Sequence, residues 1–163
     1  MPPITALLHT SNDGLRLGRA LETLLPCAEI LIVDHHSTDD TLRIAREYGA
    51  HIFPVESSLN ANHGLELARC DWILCLDPAE SLTEGLQATL FEWSVLPAQR
   101  VSHEPAFAVL VRRQTGIGED WLEEPARETR LVPRSWNLWQ GRLPANRPHA
   151  TLLEGELLRF AFP

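Results

Sequence analysis

Asp34 and Asp77 each end an apolar run, Ile30-Leu-Ile-Val33 and Trp72-Ile-Leu-Cys-Leu76 respectively. A carboxylate so placed can accept charge-assisted hydrogen bonds from a ligand or help to hold a hard cation. The competing reading of Asp34 is a turn former or helix cap, although Ser37, Thr38 and Asp39 already supply caps there. Asp77-Pro-Ala-Glu80 offers a second carboxylate three residues on. Asp77 and Glu80 suit either a divalent ion such as Mg²⁺ or Mn²⁺, or the first turn of a helix, where acidic side chains meet the dipole favourably. One carboxylate beside phosphate oxygens is thin support for such an ion, so a metal-independent site stays open. His9, Thr10 and Asn12 follow the first apolar run and are either ligand contacts or plain loop residues. The adjacent His35 and His36 lack the i,i+4 spacing that brings two imidazoles to one ion, and they read as exposed loop histidines.

Further along, Gly118-Glu-Asp-Trp121 sets Glu119 and Asp120 beside a tryptophan. Glu123 and Glu124 nearby support the reading of a solvated acidic loop. Arginines crowd the last third at 127, 130, 134, 142 and 147. Arg130 and Arg134 are candidates to clamp a diphosphate through guanidinium forks; the alternative is surface pairing with the many acidic residues. Trp93, Trp121, Trp136 and Trp139 offer aromatic faces for stacking on a sugar, though core packing is the commoner use of tryptophan.

These residues need elements to position them. Ile4 to His9, Ile30 to Val33, His51 to Phe53 and Trp72 to Leu76 read as strands. Between them lie a helical spacing at Leu17, Leu21, Leu24 and Leu25, and a segment with Leu42, Ala45 and Tyr48 stopped by Gly49. A short helix at Leu65 to Arg69 and a longer one carrying Leu82, Leu86, Leu90 and Trp93 complete the half. Continuous apolar strands alternating with amphipathic helices imply an α/β fold with a mostly parallel sheet. Right-handed crossovers give the half-sheet order 3-2-1-4, which sets the ends of strands one, two and four around one crevice. Strands at Phe107 to Val111, Arg130 to Val132, Trp136 to Trp139 and Leu152 to Phe160 are expected to form a small mixed C-terminal sheet. Gln114 to Glu128 reads as a loop that covers the site.

The 163 residues fit one domain, 1–163, with a ligand-binding half at 1–95 and a C-terminal part at 96–163. A net charge of −8, with 14 basic residues that are all arginine, argues against nucleic acid as partner. No apolar run reaches the roughly 20 residues of a membrane-spanning helix, and the first residues lack signal-peptide character, so a cytoplasmic location is expected. Cys27, Cys70 and Cys75 have no metal-type spacing and read as buried reduced thiols.

Taken in order, Ile4 to Asp13, Ile30 to Asp39, Tyr48-Gly-Ala50, Asn62-His-Gly64 and Trp72 to Glu80 resemble the GT-A domain of family 2 glycosyltransferases. The nearest flavour is the short bacterial group that adds sugars to lipopolysaccharide cores. The resemblance covers about the first ninety residues and is faint beyond. It implies an inverting transfer from a nucleotide sugar, UDP in type, to a hydroxyl on an acceptor such as a lipid-linked or cell-envelope glycan. It implies that Asp34 reads the uracil ring, with His9, Thr10 and Asn12 bordering the base and Asn62 touching the nucleotide. Asp77 would contact the ribose and the divalent ion, and Asp120 would be the base. Arg130-Leu-Val-Pro-Arg134 resembles the family's Arg-Leu-Phe-Arg element. Three departures stand out: Ala61 replaces a usual Arg or Lys, Ala79 replaces the second Asp of Asp-x-Asp, and Pro144 lies where a His-Glu pair is common. They keep a second expectation alive, a nucleotide-sugar-binding domain that has lost catalysis and serves as sensor or partner subunit.

Overall fold

A computed structural model describes residues 3–55, 65–95 and 105–163. The first half runs β1 (Ile4–Thr10), α1 (Leu17–Leu21), β2 (Glu29–Asp34), α2 (Thr41–Glu47), β3 (His51–Pro54), a 3₁₀ turn (Leu65–Leu67) and β4 (Trp72–Cys75). These four strands are parallel neighbours in the expected order 3-2-1-4. The rest runs β5 (Glu80–Leu82), α3 (Glu84–Trp93), β6 (Phe107–Arg113), β7 (Ala126–Pro133), β8 (Trp139–Gln140), β9 (Leu143–Pro144) and β10 (Thr151–Arg159).

Period-two alternation sorts the strand side chains onto two faces. Ile4, Ala6 and Leu8 of β1, Ile32 of β2, and Trp72 and Leu74 of β4 join one cluster with α1 and α3. Leu7, Leu31, Val33, Ile73 and Cys75 point the other way, into a second cluster edged by Trp136 and Trp139. Both faces are therefore covered, which explains why the strands read as unbroken apolar runs. Cys27, Cys70 and Cys75 are free thiols, and burial pushes Cys75 up to about 12.

Four expectations change in detail. The C-terminal strands do not form a sheet of their own: the order is β3-β2-β1-β4-β7-β6-β10-β5, one eight-stranded sheet. Strand β7 enters antiparallel between β4 and β6, while β10 lies parallel to β6 and antiparallel to β5. The expected strand at Trp136 to Trp139 shrinks to the ribbon β8–β9, because a turn from Trp136 N–H to the Pro133 carbonyl interrupts it. The loop after β6 is shorter than expected, since Ala126 to Glu128 already pair with β6. Helix α1 ends at Leu21 and leaves Leu25 76% exposed; Pro26 disfavours helix at the residue before it.

Strand β10 carries a bulge between Leu152 and Glu156, and Gly155 sits in it at φ +100°. The start of α3 packs directly on that glycine: a Cβ there would fall 2.3 Å from the Leu86 nitrogen. Thr83 caps α3 by accepting the Leu86 N–H (3.3 Å), and its hydroxyl donates to the Glu156 carbonyl (2.8 Å).

Candidate functional site

The register Thr10↔Asp34 brings the last residues of β1 and β2 side by side. Asp34 is 3% exposed, and its Oδ1 accepts from the Thr10 hydroxyl (2.7 Å) and the Ser37 hydroxyl (2.6 Å). Its Oδ2 accepts the Ser37 N–H (3.0 Å). Asp34 thus organises its own loop and does not cap α2, whose first N–H groups are met by Asp39 through Thr41. A carboxylate offers about four acceptor positions, so Oδ2 keeps one beyond these three bonds.

The loops after β1 and β2 are laced together. Asn12, at φ +53°, donates its N–H to the Ser37 hydroxyl (2.9 Å) and accepts the Thr38 N–H on Oδ1 (2.7 Å). Asp13 N–H donates to the Thr41 hydroxyl and Gly14 N–H to Asp39, both at 2.9 Å. On the opposite face of the same strand ends, His9 Nδ1 and His35 Nε2 are 2.9 Å apart with both rings buried. His35 is therefore no exposed loop histidine, because alternation continues one residue past β2. His36 is exposed, at φ +58°.

Asp77, just beyond β4, is partly exposed; its Oδ1 accepts the Ala79 N–H (2.9 Å) and its Oδ2 lies 3.7 Å from Arg159. Asp13 shares this corner. Burial, and then the negative charge of Asp77 and of Asp39, raise its carboxyl above the ordinary 3.8, against the Ser11 N–H and Arg16, which lower it. Neither Asp13 nor Arg159 is among the site candidates that the sequence offers. For Asp13 the available signal was its place in the loop after β1; for Arg159 there was none, since only the β10–β5 pairing brings it to Glu80.

Glu80 and Arg130 depart from their expected roles. Arg130 donates from Nη1 to Glu80 Oε1 (2.6 Å) and from Nη2 to Glu80 Oε2 (2.8 Å), and their side chains are 1% and 0% exposed. Burial works against the Glu80 charge, but the Arg130 fork outweighs it and holds the carboxyl below its usual range. Glu80 is thus committed to an internal ion pair rather than offered to a metal, and Arg130 to that pair rather than to a diphosphate. Arg134 is displaced altogether. Four residues along a strand span about 13 Å, and β7 runs antiparallel to β4, so Arg134 arrives at the opposite end of the sheet. There it donates to the Ala68 carbonyl (2.7 Å) and to Asp71 (3.4 Å).

Asp120 is exposed in the hairpin between β6 and β7, which projects from the same sheet edge as Asp77. Its carbonyl accepts the Thr115 N–H (2.8 Å), and Trp121 bridges to Gln114. Trp93 is a core residue, edge-on to Trp72 and Phe107. Asn62 lies outside the described residues. Among the described residues no group of three or more His, Cys, Asp or Glu is placed to hold a metal ion, and no helix is long and apolar enough to cross a membrane.

A parallel 3-2-1-4 half-sheet with polar clusters at the ends of β1, β2 and β4, extended through an antiparallel β7, is a GT-A fold. Residues 7–85, just under half of the chain, match the sequence model of glycosyl transferase family 2. It is 35% identical over 91 residues to an uncharacterized glycosyltransferase of Rickettsia felis, covering 53% of this chain and 32% of that protein. It is 29% identical over 136 residues to the lipopolysaccharide core biosynthesis glycosyltransferase LpsC of Rhizobium meliloti, covering 78% of this chain and 48% of LpsC. The chain thus spans about a third to just under a half of the length of these relatives. S. aureus TarS superimposes with a TM-score of 0.53 at 19% identity, over 71% of this chain and 23% of TarS. Glucosyl-3-phosphoglycerate synthase from Mycobacterium tuberculosis, solved with Mn²⁺, UDP and glucosyl-3-phosphoglycerate, gives 0.50 at 18% identity, over 70% of this chain and 45% of that one. At such identities the likeness is one of fold.

Proposed function

We propose that this chain is the donor-binding core of a glycosyltransferase that takes a UDP-sugar and passes the sugar, with inversion, to a hydroxyl. The observation that carries the reading is the convergence of Thr10–Asp34, Asn12–Thr38, Asp13 and Asp77 on one sheet edge, where the winding reverses. UDP bound to the mycobacterial synthase supports the choice of nucleotide. The name of LpsC supports a lipid-linked or cell-envelope glycan as acceptor.

In this reading Asp34 accepts the imide N–H of uracil on its remaining Oδ2 position, and Thr10 and Ser37 hold that carboxylate in place. His9 and Asn12 shape the floor and rim, and Asn62 adds a nucleotide contact. Asp77 with Asp13 would hold a divalent ion, the diphosphate oxygens completing its shell; such an ion would neutralise charge on the departing UDP. Arg159 replaces Arg130 and Arg134 as the guanidinium at that corner. Asp120 takes the proton of the acceptor hydroxyl while its oxygen bonds to the anomeric carbon and the bond from that carbon to the diphosphate breaks.

The locking of Glu80 onto Arg130 favours one further reading, a nucleotide-sugar-binding domain without turnover that acts as sensor or partner subunit. Calorimetric titration with UDP, with and without Mn²⁺, alongside release of label from radiolabelled UDP-sugars, separates the two. Mn²⁺-enhanced binding with turnover supports the transferase, and metal-insensitive binding without turnover supports the sensor. No binding of UDP overturns both.

A further inference from the structure

A cavity lies apart from the nucleotide-reading ends of β2 and β3. It measures about 390 Å³ and is lined by Arg19, Gln114, Glu119, Trp121, Phe160 and Phe162. Trp121 meets the Phe160 ring edge to face, with centroids 5.2 Å apart at 77°. The Arg19 guanidinium lies over the Phe160 ring, 3.8 Å from its centroid, and donates from Nη2 to the Phe162 carbonyl (2.9 Å). The Phe160 N–H donates to the Ala79 carbonyl (3.0 Å) and the Ser81 hydroxyl to the Arg19 carbonyl (3.3 Å). The cavity is thereby fastened to the turn that presents Asp77. Its lining residues Glu119 and Trp121 also flank Asp120 in the chain. None of the lining comes from β2 or β3, where the nucleotide-reading residues stand.

We infer that this cavity is the subsite for a neutral sugar ring of the acceptor. The inference rests on the transferase reading above and deepens it. A pyranose presents apolar C–H faces and a rim of hydroxyls, and its recognition needs an aromatic surface beside hydrogen-bonding side chains. Trp121, Phe160 and Phe162 supply the first, and Gln114 and Glu119 the second. The volume falls within the roughly 300–1,000 Å³ typical of small-ligand pockets. A phosphate or carboxylate ligand fits less well. Arg19 is already stacked on Phe160 and bonded to the Phe162 carbonyl, and Glu119 adds a negative charge to the lining.

The test uses the whole chain labelled with ¹⁵N, following the five tryptophan indole signals during titration with methyl glycosides of glucose, galactose, mannose and N-acetylglucosamine. At least one glycoside is expected to shift the Trp121 indole saturably, with a dissociation constant of about 1–50 mM, leaving core Trp72 and Trp93 unmoved. Phe160→Leu, which keeps the Trp121 reporter, is expected to weaken that binding about tenfold or more, and Trp121→Ala is expected to do the same when the glycoside is followed by ligand-observed saturation transfer. Unchanged signals from the other tryptophans certify that these variants are folded. No Trp121 shift with any glycoside, or equal shifts of all five indoles, overturns the inference. UDP added to the same samples distinguishes the two claims. UDP binding that Trp121→Ala does not affect leaves the donor reading intact even if glycosides fail. Glycoside binding without UDP binding removes the donor reading and keeps the sugar subsite. Displacement of the glycoside by UDP overturns its assignment to the acceptor.

Discussion

Arg130 on β7 and Glu80 at the start of β5 face each other through two charge-assisted hydrogen bonds of 2.6 and 2.8 Å. In the sheet these strands are separated by β6 and β10, so a flat sheet would hold them about 14 Å apart. Their contact means that the C-terminal strands curl back until β5 lies against the end of β4. The pair marks that closure, and the Asp77 N–H joins it by donating to Glu80 Oε1 (2.8 Å).

Removing one partner of this pair strands a buried charge. Glu80→Leu or Arg130→Met alone is expected to lower stability by about 3–5 kcal/mol, whereas Glu80→Leu with Arg130→Met recovers most of the loss. Urea unfolding midpoints of the four proteins provide the cycle; simple additivity of the two losses would contradict it.

Acid should weaken the fold through the same carboxylate. The carboxyl of Glu80 lies below its ordinary 4.5 in the folded chain, and so does that of Glu29, where burial is outweighed by bonds from the Arg69 N–H, Thr5 and His51. A depressed carboxyl contributes stability that is present above 4.5 and is lost as pH falls through the folded value. Thermal unfolding followed by circular dichroism should therefore show a steep fall below the ordinary glutamate range, and Glu80→Gln should flatten it.

Asp13 has the opposite sign. Its raised carboxyl contributes stability that is fully present below 3.8 and is lost as pH rises through the folded value. Asp13→Asn is accordingly expected to match or exceed the parent in melting temperature at neutral pH while losing most of the Mn²⁺ enhancement of UDP binding. Calorimetry paired with thermal melts checks both halves. A variant that melts earlier and keeps the enhancement would remove Asp13 from the site.

Gly155→Ala should be among the most damaging single-methyl changes. The new Cβ would meet the Leu86 backbone at 2.3 Å, and φ +100° is strained for any side chain. A loss of about 2–5 kcal/mol is expected, read as a shift in the urea midpoint.

Much of this was legible beforehand, and the misses have physical causes. The unbroken runs at Ile30 to Val33 and Trp72 to Leu76 announced doubly covered parallel strands, and with them the 3-2-1-4 order and the placement of Asp34 and Asp77. Strand β5 stayed hidden because Glu80-Ser-Leu82 is short and polar, its burial coming from β10 and Arg130 rather than from its own pattern. Arg130 and Arg134 looked like one cluster because spacing in sequence does not reveal whether residues share an end of a strand. Asp34 was singled out as a ligand residue, and its three internal bonds depend on Thr10 and Ser37 arriving from two loops, which no local pattern encodes.

The turn from Asp77 to Glu80 sends consecutive strands to distant seats in the sheet, β4 beside β1 and β5 beside β10. A cut in the segment between α3 and β6 would leave β4 without β7 on one fragment and β10 without β5 on the other, each with a bare hydrogen-bonding edge. Two such pieces would be complementary halves that assemble only on meeting, so the chain is laid out like a split reporter and not like two modules in tandem.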